Sequence, residues 1–263
     1  MNEDARAELA GLAASLRAYL EWQQEAGTWG FPRQIAHGPV SLPSLPTTLV
    51  PSAAVATSPA PTAASGAHRI RLSQLAAEVA TCTKCALSLT RTQTVFSRGN
   101  PDAALCFIGE APGADEDAQG LPFVGRAGQL LDRMIAAMGL SPETEVYVCN
   151  IIKCRPPGNR RPEPEEMAAC FPYLHEQLAL VRPRAIVALG NTAVAALLDT
   201  KVGITKLRGQ WKLYRGATLV MPTFHPSYLL RPGPQQVEAK RQTWEDLQLV
   251  MKELGLELPR KKP

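Results

Sequence analysis

No part of this chain is an uninterrupted apolar run long enough to cross a bilayer, and Met1 to Glu8 lack the basic-then-apolar order of a secretory leader. We therefore expect a cytoplasmic protein with no membrane partner. Charge is absent from Gly38 to Gly66, where Pro, Ser, Ala and Thr predominate. Such a composition buries too little apolar area to offset the entropy of ordering it, so residues 38–68 read as a flexible linker. A disulfide framework is excluded for the six cysteines by the reducing compartment and by a chain of 263 residues, whose core needs no staples. Metal ligation is the better question for them.

What is present suffices for one substantial domain: 45% of the residues are apolar and 20% charged. Net charge is +4, but the first 68 residues hold 3 of the 28 basic and 5 of the 24 acidic residues, leaving 25 against 19 and an excess of about +6 beyond them. That excess suits a polyanionic partner, since neutralised phosphates release counterions, without identifying one.

Residues 1–37 form an N-terminal extension in which Leu9, Leu12, Leu16, Tyr19 and Leu20 recur at helical spacing, predicting a short amphipathic helix. Residues 69–258 carry the domain proper and residues 259–263 a basic tail. In the domain, short β-branched or apolar runs alternate with helical stretches. The pattern predicts an α/β fold whose mostly parallel sheet is covered by helices on both faces. Strands are expected at 104–109, 146–152, 185–189 and 218–223, and helices at 125–138, 163–180, 191–198 and 236–254. Parallel strands share a direction, so the loops leaving their C-terminal ends open on one edge, where such sheets place ligands. Gly109 to Asp117, Asn150, Gly190-Asn191 and His225-Pro226-Ser227 all fall there.

Cys82-x2-Cys85, Cys154 and Cys170 offer four thiolates from three segments. They make either a four-sulfur site or a two-cysteine half-site with two packed core residues. Cys106 and Cys149 sit inside expected strands and read as core. After the first strand, Gly109, Pro112 and Gly113 beside Glu110, Asp115, Glu116 and Asp117 make either a stiff turn whose amides cradle an electron-rich oxygen or an acidic, solvated loop. His225-Pro226-Ser227-Tyr228-Leu229-Leu230-Arg231 follows the last strand. Its histidine can be merely structural, but two leucines beside an arginine can also wedge a base stack while holding phosphate.

In combination, Gly109-Glu110-Ala111-Pro112-Gly113 with Glu116-Asp117, Leu121-Pro122-Phe123-Val124-Gly125, Asn150-Ile151-Ile152-Lys153-Cys154-Arg155-Pro156-Pro157 and His225-Pro226-Ser227-Tyr228-Leu229-Leu230 resemble the family 4 uracil-DNA glycosylases. The resemblance runs from about Ile70 to Leu254 and leaves the first 68 residues outside. It implies a three-layer αβα sandwich around a central, mostly parallel four-stranded sheet, and a 4Fe-4S cluster on Cys82, Cys85, Cys154 and Cys170. We expect the cluster to be structural. It implies action on uracil in single- or double-stranded DNA; separately, we expect a monomer, with the N-terminal extension open to contacts with replication or repair proteins.

The residues can be read in those terms. A stacked base must be turned out before it can be reached, at a cost of a few kcal/mol. Leu229 and Leu230 are the expected wedge; Ser227, Tyr228 and Arg231, with Lys206 and Arg208 behind them, face the DNA. By the resemblance Phe123 stacks on uracil, unless it is simply a core aromatic, and Asn150 reads its O4 and N3–H. Charge leaving on the uracil anion gathers at O2, where His225 is the side-chain donor and amides of the Glu110, Ala111, Pro112 and Gly113 turn are further ones. Glu110 and Glu116 are the candidates to orient the attacking water and stabilise the sugar cation, and either can instead merely fix the loop. A related group captures uracil covalently through a histidine after the second motif, but Cys154 to Pro162 contains none. A non-catalytic cluster-bearing DNA sensor is the remaining rival; it needs none of Glu110, Phe123, Asn150 and His225.

Overall fold

The structure is a computed structural model and describes residues 64–258. The proposed N-terminal helix, nearly all of the linker and the basic tail lie outside them. The chain separates into two units between Ala60 and Pro61, and the description below concerns the second. It opens with helix α1 (Ala64–Ala80), which takes in the last residues of the 38–68 segment expected to be linker. Leu72, Leu75 and Val79 bury one face of it, and His68 Nε2 stands 2.8 Å from the Asp102 carboxylate, tying the end of that segment to the domain.

The sheet has six strands where four were expected. In chain order they are β1 (Arg98–Gly99), β2 (Leu105–Gly109), β3 (Val146–Asn150), β4 (Ala185–Leu189), β5 (Lys212–Tyr214) and β6 (Thr218–Thr223). Their spatial order is β1-β3-β2-β4-β6-β5. The four expected strands are the parallel centre, and the two additions are antiparallel edges. With two and three residues, β1 and β5 are too short to show an alternation.

Alternation along the central strands sorts side chains into two cores. Cys106, Ile108, Tyr147, Cys149, Ile186 and Ala188 face one side, where α1, α4 (Pro164–Val181) and α5 (Gly190–Leu198) cover them. Leu105, Phe107, Val146, Val148, Val187 and Met221 face the other, under α3 (Arg126–Ala137) and α8 (Gln235–Leu254). Both faces of a parallel sheet are thus buried, giving the expected αβα sandwich. Cys106 and Cys149 are core residues, as read. Three short helices complete the unit: α2 (Ala114–Gln119), α6 (Ile204–Leu207) and α7 (Pro226–Leu229). Among the described residues no helix is long and apolar enough to cross a membrane.

Candidate active site

The C-terminal ends of β2, β3 and β6 open on one cleft of about 350 Å³, lined by Glu110 to Glu116, Phe123, Asn150 and His225 among others. A second basin of about 530 Å³ shares Glu110, Ala111, Asn159, His225 and Ser227 with it and extends along Tyr228 and Arg231. The sheet edge therefore brings the expected base-binding residues together.

Phe123 is buried and holds a left-handed backbone, φ 57°, unusual for a bulky residue. Two glycines make room for it. A Cβ on Gly109 would stand 2.4 Å from Phe123 Cζ and 2.5 Å from Asn150 Oδ1, and one on Gly128 would stand 1.8 Å from the Phe123 carbonyl oxygen. Ring and amide therefore meet over Gly109, at the end of β2. Asn150 ends β3 and is 2% exposed, and its side-chain oxygen is buried without a hydrogen-bond partner.

His225 caps α7: its Nδ1 accepts the Ser227 backbone N–H at 3.1 Å, with Ser227 Oγ at 2.8 Å. That acceptor role leaves Nε2 to carry the proton of the neutral ring. The ring stands 5.7 Å from that of Phe123. Burial pushes its pKa down to about 4, against a weaker upward pull from the Glu116 carboxylate, so the ring is a neutral donor at pH 7.

The two glutamates have different occupations. Glu116 accepts from the backbone amides of Gly113 at 3.0 Å and of Val124 and Gly125 at 2.9 Å. It stitches the first turn of α2 to the segment entering α3 and completes a capping box. Its carboxylate is committed to the loop, which removes the support for Glu116 as the water-orienting group. Glu110 is half-buried and lines both basins; its backbone carbonyl accepts from the Ile152 N–H at 3.3 Å, but its carboxylate makes no hydrogen bond or ion pair with any described residue. The turn likewise offers fewer amides than it seemed to: Pro112 has none and that of Gly113 is taken by Glu116, leaving those of Glu110 and Ala111.

Of the expected wedge, Leu229 is 2% exposed and packed with Phe224 and Ala239, so it cannot enter a base stack. Leu230, the C-cap of α7, is half-buried. Ser227 and Arg231 are exposed on the rim, and the Arg231 guanidinium lies 5.6 Å from the Tyr228 ring. Arg208 is corrected as a phosphate contact: it donates to Asp246 and to the Gln242 carbonyl, both at 2.6 Å. Sequence reasoning missed Asn159, which lines both basins with φ 56° and accepts from Arg155 Nε at 2.7 Å. The signal was there, since asparagine after glycine in Pro157-Gly158-Asn159 is a residue that tolerates the left-handed turn. His175, the first histidine after the second motif, pairs with the Tyr214 hydroxyl at 2.9 Å and does not line the cleft.

Cys82, Cys85, Cys154 and Cys170 line one recess beside Lys153, Arg91 and Tyr173. All four are free thiols. The recess is tight, with about 10 Å³ of free space. No three Cys, His, Asp or Glu side chains among the described residues close on one point as ligands of a single ion. N–H groups are aimed at the sulfurs: Arg91 Nη1 at Cys154 Sγ and the Lys153 backbone N at Cys170 Sγ, both at 3.2 Å. Burial pushes the Cys170 thiol up to about 11 despite the nearby Lys153 charge.

The family model of the Uracil DNA glycosylase superfamily matches residues 96–248. The chain is 49% identical over 168 residues to a Type-4 uracil-DNA glycosylase of Thermotoga maritima, covering 64% of this chain and 86% of that one. It is 44% identical over 171 residues to one of Saccharolobus solfataricus, covering 62% and 79%, and 42% identical over 167 residues to one of Sulfurisphaera tokodaii, covering 60% and 76%. The superfamily model spans more than half of this chain and each of these relatives is matched over at least three quarters of its own length, so the chain belongs to the uracil DNA glycosylase superfamily, within it to the type-4 uracil-DNA glycosylases.

Proposed function

We propose that the cleft takes a uracil turned out of the DNA stack and that the enzyme hydrolyses the bond between deoxyribose C1′ and uracil N1, leaving an abasic site. The observation that carries this reading is the Asn150 oxygen, buried and unpaired. An unsatisfied buried acceptor costs about 1–3 kcal/mol until a partner arrives. Uracil N3–H is such a partner, while the amide N–H of Asn150 donates to O4. Cytosine, with an acceptor at N3 and a donor at the 4-position, mismatches both.

Phe123 gives the base its π-surface. As the C1′–N1 bond breaks, its electron pair moves onto uracil and gathers at O2, where His225 Nε2–H and the Ala111 amide donate. Because the histidine is already neutral, no proton leaves the protein in this step. Glu110, the carboxylate with no partner, orients the water that attacks C1′, accepts its proton and offsets the positive sugar. The uracil anion is protonated from solvent on release. Leu230 is the remaining candidate to fill the gap in the stack, with Ser227 and Arg231 on the backbone.

The donor set of the cysteine recess, four thiols and no histidine or carboxylate, fits an iron-sulfur cluster by its chemistry. Cys82, Cys85, Cys154 and Cys170 would hold a 4Fe-4S cluster, which when bound supplies a structural cross-link between the segment before β2 and those after β3. Oligonucleotides carrying one uracil, single-stranded and duplex, test the reading. Alkali-labile abasic sites over many turnovers are expected, with about a 100-fold or larger loss in Asn150→Ala and His225→Ala. A stoichiometric protein–DNA adduct resistant to denaturation, or no product from iron-loaded protein, refutes it.

A further inference from the structure

Lys153 is one of the largest fully buried side chains, 1% exposed, and no carboxylate pairs with it among the described residues. Its ammonium donates to the backbone carbonyl of Asn150 at 2.7 Å and lies 5.9 Å from the centroid of the Phe96 ring. A carbonyl and an aromatic face do not balance a buried positive charge, and buried charges persist when they are paired. The sulfurs around it are those of the cysteine recess, which Lys153 itself lines, and the core thiols of Cys149 and Cys106 on its other side. Its own backbone N–H donates to Cys170 Sγ, and Cys154 is the next residue. A cluster carried by four thiolates is net negative, which is the charge missing from the lysine's environment.

We propose that Lys153 is both the buried counter-ion of the cluster and the strut that holds Asn150 in reading position, so that one residue couples the cysteine site to the uracil pocket. The chemistry is that of a positioning residue. The ammonium closes the turn from the end of β3 by holding the Asn150 carbonyl, and the same turn delivers Cys154 to the recess. A residue without a donor here would leave Asn150 attached by its strand hydrogen bonds alone, with its amide free to turn. The inference rests on the glycosylase and cluster readings above.

The test uses the full-length iron-loaded protein with Lys153→Met, which keeps the volume and removes both charge and donor, and Lys153→Gln, which keeps a neutral donor. Iron and sulfide content, visible absorption, cluster midpoint potential and excision kinetics on uracil and cytosine oligonucleotides are measured for each. Loss of the positive charge disfavours the added electron, so both variants are expected to load iron normally with a more negative potential than wild type. Met is expected to lower kcat/KM on uracil by about 10- to 100-fold, the value of a hydrogen bond to a charged group, and to narrow the preference over cytosine. Gln is expected to recover part of that activity and none of the potential. An unchanged potential in either iron-loaded variant overturns the counter-ion role, and unchanged excision by Lys153→Met overturns the strut. Failure of both variants to retain iron also overturns the proposal, making Lys153 an assembly group instead. If wild-type protein lacks iron the cluster reading fails, and if it is loaded but inert on uracil the glycosylase reading fails; each takes the proposal down by a distinguishable route.

Discussion

Gly109→Ala adds one carbon at the point where the base floor meets the base reader. That carbon would stand 2.4 Å from Phe123 Cζ and 2.5 Å from Asn150 Oδ1, whereas carbon contacts relax only at about 3.5–4.0 Å, so a side chain must retreat by roughly 1 Å. Phe123 has little room to do so, since a neighbouring backbone fills the space under its carbonyl at Gly128 and its ring packs in the core of the α3 face. The Asn150 amide is the softer partner and is expected to turn. The backbone of Gly109 does not lie in the left-handed region, so alanine brings no conformational penalty of its own. Overpacking of this kind costs about 1–3 kcal/mol of stability, while a displacement of 1 Å in a positioning group costs about 100-fold in rate. Single-turnover excision from a uracil oligonucleotide, beside thermal unfolding of the same preparation, separates the two. Expected is a fall of about 100-fold in the rate with most of the protein still folded at the assay temperature. An alanine variant that excises uracil at the wild-type rate refutes the placement of Phe123 and Asn150 over Gly109.

Protonation of His225 adds a second expectation. Its pKa is depressed to about 4 from an ordinary value near 6.5, so the neutral donor persists on acidification and kcat/KM should show no loss through this group until pH falls towards 4. The same depression makes the unfolded chain bind a proton that the folded chain refuses, so this group's effect on stability is unfavourable and grows as pH falls from 6.5 towards 4; a rate profile breaking near pH 6.5 would refute the placement. Glu116→Gln should lower Tm through loss of a carboxylate that holds three backbone amides, about 1.5–3 kcal/mol, whereas Glu110→Gln should leave Tm unchanged and lower kcat; the reverse pattern exchanges their roles. Leu229→Ala should destabilise by about 2–5 kcal/mol as a core deletion. Leu230→Ala should leave stability near wild type and slow excision from duplex more than from single strands, and equal slowing on both substrates removes it as the wedge.

The fold was largely legible because its central strands and long helices carry strong patterns. Strands β4 and β6 begin and end where their apolar runs do, and α3, α4, α5 and α8 fall within a residue of their periodic stretches. Helix α2 was not legible. Its six residues include Asp115, Glu116 and Asp117, which in sequence read as the border of a stiff turn or as an acidic loop. In fact they stabilise the helix N-terminus, and the Asp117 carboxylate reaches back to the amides of Thr92 and Gln93. Leu229 was misplaced in the expected wedge for a related reason. Adjacent leucines look equivalent in a sequence, but a single turn of helix at 226–229 points one inwards under α8 and leaves its neighbour at the rim.

The division between Glu110 and Glu116 shows where sequence reading stops and why. Both are carboxylates in one loop, and chemistry alone permits either to brace the backbone or to face the reacting sugar. Position on the helix decides. Glu116 falls at the third residue of α2, where a carboxylate reaches back to the amide of the capping Gly113 and across to those of Val124 and Gly125. Glu110 is the first residue beyond β2, before any helix begins, and has no amide to claim it. The brace is what allows the free carboxylate to be useful. By tying Gly113 to the segment that carries Phe123, Glu116 holds together the two walls between which a base must lie, and a water-orienting group is effective only when its distance from the sugar is fixed by such walls. Replacing the brace should therefore lower catalysis indirectly, through loss of uracil affinity, and replacing Glu110 should lower it at saturating substrate.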